Sequence, residues 1–173
     1  MKIKRAILLQ GVLLTLVILL AWITGSCTCG EKSGCCAGSG GINLDFSSLP
    51  TGTLPAVFTV DKVDGVRIYD EIRGGGASLW CHGSREVAPG NWKDAAVMLL
   101  FGKLPCRVCT ISAEVHGHGP EARLVAVQQD SSTQTAVCPG DQRVLTLKAT
   151  VDNPFIYAIL SGQEAQWLSF QLR

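Results

Sequence analysis

Short apolar runs at close spacing constrain the fold of this chain most, because they recur from residue 56 to residue 172. Ten runs carry the alternating or β-branched pattern of strands: 56–60, 65–69, 78–81, 96–101, 107–116, 122–128, 135–138, 143–149, 155–160 and 166–172. Gly, Pro, Asn and Asp cluster between the runs, as expected of turns. No stretch shows a clear helical period, so the pattern predicts an all-β sandwich or barrel.

The first 26 residues have the pattern of a targeting segment. Lys2, Lys4 and Arg5 form a short positive region, and an apolar run follows at residues 6–23. That run is long enough for a secretory signal or a minimal membrane-spanning helix. Positive charge ahead of such a run keeps the N-terminus inside, so we expect export, with the domain facing the periplasm or the cell surface.

The residues after this run, Ile23-Thr-Gly-Ser-Cys27, resemble the bacterial lipoprotein box. The resemblance implies that Cys27 is lipidated and anchors the protein, although Thr24 departs from the usual Leu or Val. An uncleaved transmembrane anchor is the alternative. Residues 27–42 are rich in Cys, Gly and Ser and predict a tether. Residues 43–173 remain for a β-sandwich domain preceded by the signal or anchor helix.

Charge and motif content exclude some functions. The formal net charge is +1 and the basic residues are scattered singly, so no basic stripe for nucleic acid is present. The sequence has no Gly-x-Ser-x-Gly motif, Ser84 near His82 has no recognisable acid partner, and no carboxylate pair stands out. We therefore expect an extracytoplasmic binding or interaction module and not an enzyme, and a hydrolase is a further alternative.

The eight cysteines fall into two groups of four. Residues 27–36 contain the first group, in which Cys29, Cys35 and Cys36 could bind a soft metal ion beside Cys27. A small metal-handling protein is therefore one alternative function, and a disulfide-linked tether is the other interpretation of this group. The second group is spread through the domain: Cys81, Cys106, Cys109 and Cys138.

Cys106 and Cys109 have the spacing of a redox motif, but the residues around them are strand-forming. Positions three apart on a strand face opposite sides at about 10 Å, which is beyond disulfide reach. We therefore predict two disulfides in which Cys106 and Cys109 have different partners. Cys81 and Cys138 are the candidates for those partners.

Both ends of the domain resemble jelly-roll modules of bacterial exported proteins, similar to galactose-binding-like domains. The opening segment, residues 43–52, has Asp-Phe and a Pro/Gly turn, and residues 153–165 end in a Gly-Gln-Glu turn before the last strand. The resemblance implies a jelly-roll-like sandwich and a glycan as a possible partner. A structural envelope component packed against a partner protein is the alternative.

The longest polar segment of the domain, residues 82–94, contains Trp92 together with Asn91 and Asp94. An indole among polar side chains can stack on a sugar ring, so these three residues are the predicted ligand-binding residues. The alternative is that Trp92 covers one end of the sandwich. Trp80 and Trp167 lie within strand patterns, so we predict that both belong to the core.

Metal sites have weaker support. His116 and His118 alternate and could ligate a metal with His82, although their glycine-rich surroundings favour an exposed hairpin tip. No cofactor is expected, except that oxygen ligands for a structural Ca²⁺ are available at scattered positions where turn chemistry is the alternative: Asp45, Asp152, Asn153 and Glu164.

Overall fold

The structure is a computed structural model that describes residues 34–36, 41–69, 71–88 and 91–173. For residues 84–88 and 91–93 it describes the backbone alone. The predicted signal or anchor segment, the lipidation site Cys27 and the metal candidate Cys29 lie outside the described residues. Within the described ranges, no helix has the length and apolar character needed to cross a membrane.

The described residues form two antiparallel sheets of seven strands each. The strands are β1 (Ile42–Leu44), β2 (Gly52–Thr53), β3 (Val57–Val60), β4 (Val63–Tyr69), β5 (Glu71–Gly75), β6 (Ser78–His82), β7 (Ser84–Ala88), β8 (Asn91–Leu100), β9 (Thr110–Gly117), β10 (Ala122–Gln128), β11 (Thr133–Cys138), β12 (Gln142–Lys148), β13 (Phe155–Gly162) and β14 (Glu164–Leu172). The first sheet has the order β2-β5-β6-β14-β9-β12, with β1 paired to β14. The second has the order β3-β4-β8-β13-β10-β11, with β7 paired to β8.

The core lies between the inner faces of the two sheets. Strand alternation places Ile111, Ala113 and Val115 of β9 inward, and each is fully buried. Leu124 and Leu160 are buried on the second sheet. This arrangement confirms the predicted all-β sandwich, and every predicted strand is present. The chain crosses between sheets at Gln163, so the predicted Gly-Gln-Glu turn before the last strand is also confirmed.

A glycine lets one aromatic ring enter the second sheet. Gly65 on β4 pairs with Phe58 on β3, and the Phe58 ring covers the glycine. A Cβ atom at residue 65 would lie 2.2 Å from Phe58 Cζ. Since real Cβ atoms do not approach so closely, only glycine fits at this position without displacing the ring.

Two disulfides join the segment before the domain to the β8–β9 connection. Cys35 bonds to Cys109 and Cys36 bonds to Cys106, with Cα–Cα distances of 5.6 and 5.1 Å. The prediction that Cys106 and Cys109 have different partners is therefore confirmed. Because Cys35 and Cys36 are oxidised, neither supplies the thiolate that a soft-metal site would need, so the proposed metal role of these two residues is wrong.

The predicted partners Cys81 and Cys138 are wrong, because both are buried free cysteines. Cys81 is paired with Ala165, near the start of β14. Cys109 instead donates its backbone N–H to the carbonyl oxygen of Arg173, just beyond the other end of that strand. About 25 Å of strand separates these positions, which no disulfide can span. The predicted strand at 107–116 begins only at Thr110, so the opposite-face argument did not apply to this connection.

Candidate functional site

The outer face of the first sheet carries an aromatic and polar surface. On β6, Leu79 and Cys81 point into the core and are fully buried, so Trp80 and His82 point to the outside. Trp80 is half-buried there and is not a core residue, which corrects the sequence prediction. Trp167, by contrast, is fully buried as predicted.

Neighbouring strands extend this surface in two rows. Arg73, Trp80, Gln166 and His116 are cross-strand partners in one row. Glu71, His82 and Glu164 are partners in the next row. Adjacent strands lie about 4.8 Å apart, so side chains in each row are close neighbours. We call this surface the Trp80 face; it consists of the seven residues of the two rows together with His118.

An open groove of about 590 Å³ lies on the Trp80 face. Its lining residues are Thr51, Gly52, Arg73, Gly74, Gly75, Gly76, Ser78, Trp80, His82, Glu164 and Gln166. Gly74, Gly75 and Gly76 come from the end of β5 and the turn to β6, and Gly75 and Gly76 have φ angles of 145° and 57°. A side chain is strained in this left-handed region, so glycine keeps the turn tight and leaves the space beside Trp80 open.

Two histidines lie beside the indole. The His118 ring stacks on Trp80 with ring centroids 5.6 Å apart and planes 10° from parallel. The His116 ring lies 4.0 Å from the His118 ring, so both imidazoles are on the same side of the sheet. The backbone N–H of His118 donates to the Glu164 carbonyl at 2.7 Å, which fixes this end of β9 against β14.

These histidines do not complete the predicted three-imidazole centre. His82 lies across β14 from His116 and forms a hydrogen bond from Nδ1 to Glu164 Oε2 at 3.0 Å. In the part of the chain that the structure describes, no group of three or more His, Cys, Asp or Glu side chains is placed to hold a metal ion.

Hydrogen bonds orient the polar side chains around the groove. Gln166 Nε2 donates to Ser78 Oγ at 3.1 Å, and Ser78 Oγ donates to the Gly75 carbonyl at 2.8 Å. This chain of bonds holds the Gln166 amide next to Trp80 and ties the β5–β6 turn to β14. The polar rim of the groove is therefore preorganised by contacts within the protein.

An ion pair closes one side of the Trp80 face. Arg73 Nη2 donates to Glu71 Oε2 at 2.9 Å, and Thr53 Oγ1 donates to the other carboxylate oxygen of Glu71. The Arg73 hydrogen bond, followed by that from Thr53, lowers the pKa of Glu71 below its ordinary value. Glu71 in turn raises the pKa of Arg73. Both groups are therefore charged at neutral pH.

The residues predicted to bind ligand lie elsewhere. Residues 82–94 do not form a polar loop, because β7 pairs with the start of β8 as a hairpin. Asn91 and Trp92 are in β8, where the structure describes the backbone alone. Asp94 is half-buried in a smaller groove of about 360 Å³ with Tyr69, Arg123 and Ser161. That groove belongs to the second sheet.

The four predicted oxygen ligands for calcium are engaged separately. Asp45 Oδ1 accepts from the Ser47 N–H at 2.9 Å, and Asn153 Oδ1 accepts from the Asp130 N–H at 3.1 Å. Glu164 is bonded to His82, and Asp152 is exposed beside Asn153. These contacts are the turn and pairing chemistry that was the alternative to a calcium site.

Comparison with known proteins adds a structural similarity. No protein-family model matches the sequence, and no curated protein matches it either. Among solved structures, the chain is similar to CBM29_1, a family 29 carbohydrate-binding module from Piromyces equi. The two are 8% identical with a TM-score of 0.47, and the match covers 70% of this chain and 88% of that one.

Proposed function

We propose that this protein is an exported carbohydrate-binding module that holds a sugar chain on the Trp80 face. The observation that carries the proposal is a half-exposed indole beside an open groove whose rim is built of hydrogen-bonding side chains. A pyranose ring has an apolar face that packs on an indole, while its hydroxyl groups need polar partners. Gln166 and Glu164 supply such partners within the same groove.

The position of the groove within the domain supports a display role. The chain enters the domain at residues 34–36, which are bonded to the β8–β9 connection beside Arg173. Gln166 lies seven residues before Arg173 along β14, or about 23 Å away. We propose that the N-terminal segment, through Cys27 or an uncleaved helix, anchors the protein at a membrane and that the groove binds an external glycan.

We propose binding without hydrolysis. A glycosidase needs one carboxylic acid that stays protonated near neutral pH, and enzymes obtain it by raising that pKa. On the Trp80 face, the bond from Arg73 lowers the pKa of Glu71 instead. Incubation with a bound polysaccharide should therefore release no reducing ends, and release that depends on Glu71 or Glu164 would contradict this part of the proposal.

The test is retention by insoluble and soluble polysaccharides, measured for the wild type and Trp80→Ala. We expect Trp80→Ala to weaken binding at least roughly tenfold, because the indole provides the apolar contact. The melting temperature should change little, since Trp80 faces outward. Tyr157→Ala is the matched control, because Tyr157 is a half-buried aromatic residue on the second sheet. Binding should be unchanged in this control.

A second variant distinguishes binding at Trp80 from binding at Trp92. Trp92→Ala should keep its glycan affinity if the Trp80 face is the site. Loss of binding in Trp92→Ala with full binding in Trp80→Ala would move the site to the β7–β8 hairpin and overturn the assignment. If no polysaccharide retains the wild type, carbohydrate binding itself is refuted.

A further inference from the structure

The charges around the groove determine which glycans fit it. Arg73 is the only lysine or arginine among the described residues that line the groove. Its guanidinium is held at 2.9 Å by Glu71, with 46% of the Arg73 side chain exposed to solvent. The positive charge is thus already compensated by a neighbour on the same strand. A carboxylate or sulfate group on a ligand would find no unpaired permanent cation in this groove.

Negative charge is in excess on the same face. Glu164 lines the groove, and its carboxylate oxygen Oε2 lies 3.0 Å from His82 Nδ1. Glu114 lies on β9 with its carboxylate accepting from Gln142 Nε2 at 2.7 Å. An anionic sugar bound against Trp80 would therefore be repelled by the nearby Glu164 carboxylate.

We propose that the Trp80 face selects uncharged sugar chains and rejects acidic ones at neutral pH, and that its histidines weaken this selection in acid. The inference rests on the proposed function and names the ligand class of the same site. The ligand is a neutral glycan whose hydroxyl groups donate to Glu164 while one ring packs on Trp80. Uronic acid chains and sulfated chains are excluded.

Hydrogen-bond chemistry also favours an uncharged ligand over an acidic one. An ionised carboxylate such as Glu164 only accepts hydrogen bonds, and a sugar hydroxyl can donate to it. A uronate carboxylate in the same place would put two acceptors face to face, so neither could donate a hydrogen bond to the other. The loss of a hydrogen bond adds to the repulsion between the two charges.

All three histidines of the chain are on this face: His82, His116 and His118. Histidine gains a positive charge as the pH falls from about 7 to about 5, while uronate groups remain ionised. Among the residues whose side chains the structure describes, the other charged groups on the surrounding strands and turns are Glu71, Arg73, Glu114, Asp141, Arg143 and Glu164. Protonation therefore offsets the excess negative charge, and the penalty for an acidic chain shrinks.

The experiment compares matched polysaccharides that share a backbone and differ in charge. One pair is hydroxyethylcellulose and carboxymethylcellulose, and the other is methyl-esterified polygalacturonan and polygalacturonate. Binding to the intact protein is measured by affinity electrophoresis and calorimetry at about pH 7.5 and about pH 5. Each measurement is repeated at roughly 0.05 M and 0.5 M salt, because salt screens charge repulsion and leaves steric exclusion unchanged.

At neutral pH and low salt, we expect the uncharged member of a pair to bind at least roughly tenfold more tightly. The ratio should fall in high salt, at pH 5, and in Glu164→Gln. It should stay the same in Asp152→Asn, because Asp152 is an exposed carboxylate between β12 and β13 that does not line the groove. Tight binding of the acidic member that is lost in Trp80→Ala would overturn this inference alone. An affinity ratio that is the same at both salt concentrations and at both pH values would also overturn the inference. If neither member of either pair binds, and no other glycan binds, the proposed function itself is refuted.

Discussion

The two disulfides form one small ring, so their contributions to stability should depend on each other. The two cysteines of the Cys35–Cys109 bridge are 74 residues apart along the chain, and those of the Cys36–Cys106 bridge are 70 residues apart. In the chain-entropy description, closing a loop of that length stabilises a protein by about 4 kcal/mol. Once either bridge exists, the second closes a ring of only about six residues and contributes about 2 kcal/mol.

Removing either bridge alone should therefore cost about 2 kcal/mol, because the long loop stays closed. Removing both should cost about 6 kcal/mol, which exceeds the sum of the single losses by about 2 kcal/mol. The variants are Cys35→Ala with Cys109→Ala, Cys36→Ala with Cys106→Ala, and the quadruple substitution. Equilibrium unfolding in denaturant gives the three free energies, with equal slopes against denaturant as the control for a shared unfolded state.

Additivity would refute this reasoning. If the quadruple loss equals the sum of the two double-variant losses within about 0.5 kcal/mol, the two bridges do not close a common ring. The segment at residues 34–36 would then not be held to the β8–β9 connection by both bonds. Because Cys36 is fully buried, its pair is expected to lose slightly more than the other.

Three further predictions follow from the packing and charges of the domain. Gly65→Ala should destabilise the fold by about 1–3 kcal/mol in denaturant unfolding, since its Cβ collides with Phe58; an unchanged midpoint would contradict that packing. Burial raises the pKa of Cys81 to about 12, so the folded protein should resist alkylation there at pH 8, and rapid labelling would contradict the burial. Hydrogen bonds from Lys103 and Thr59 hold the pKa of Asp64 below 3.8, so its stabilising contribution is present above pH 3.8 and is lost as the pH falls further. Asp64→Asn should flatten that part of the unfolding free-energy curve against pH, and an unaltered curve would argue against the pairing.

Local patterns in the sequence were enough to predict most of the sandwich. Period-two alternation and turn residues are properties of neighbouring positions, so strands such as β9 and β10 could be predicted. Strand β5 was missed because Glu71–Gly75 combines charged residues with glycines, which have low strand propensity. Its strand conformation depends on pairing with β6 and β2, which no local pattern reveals.

Trp80 was assigned to the core by residue type and not by alternation, so the Trp80 face was not among the predicted sites. Leu79 and Cys81 flank Trp80, so a strand that buries them must turn the indole outward, next to His82. That signal was present in the sequence. No local pattern in the sequence indicates that Glu164, Gln166 and His118 lie beside the indole, because their position depends on β14 lying between β6 and β9. The disulfide partners depend on the same long-range topology.

The most direct test of the proposed site is the NMR signal of the tryptophan side chains during a glycan titration. The chain has four tryptophans, and each indole N–H gives its own signal in a ¹⁵N correlation spectrum. Addition of a neutral oligosaccharide of the polysaccharide that binds should move the Trp80 signal most and leave the buried Trp167 signal in place. A shift confined to Trp92, or binding with no change at Trp80, would contradict the Trp80 face as the binding site.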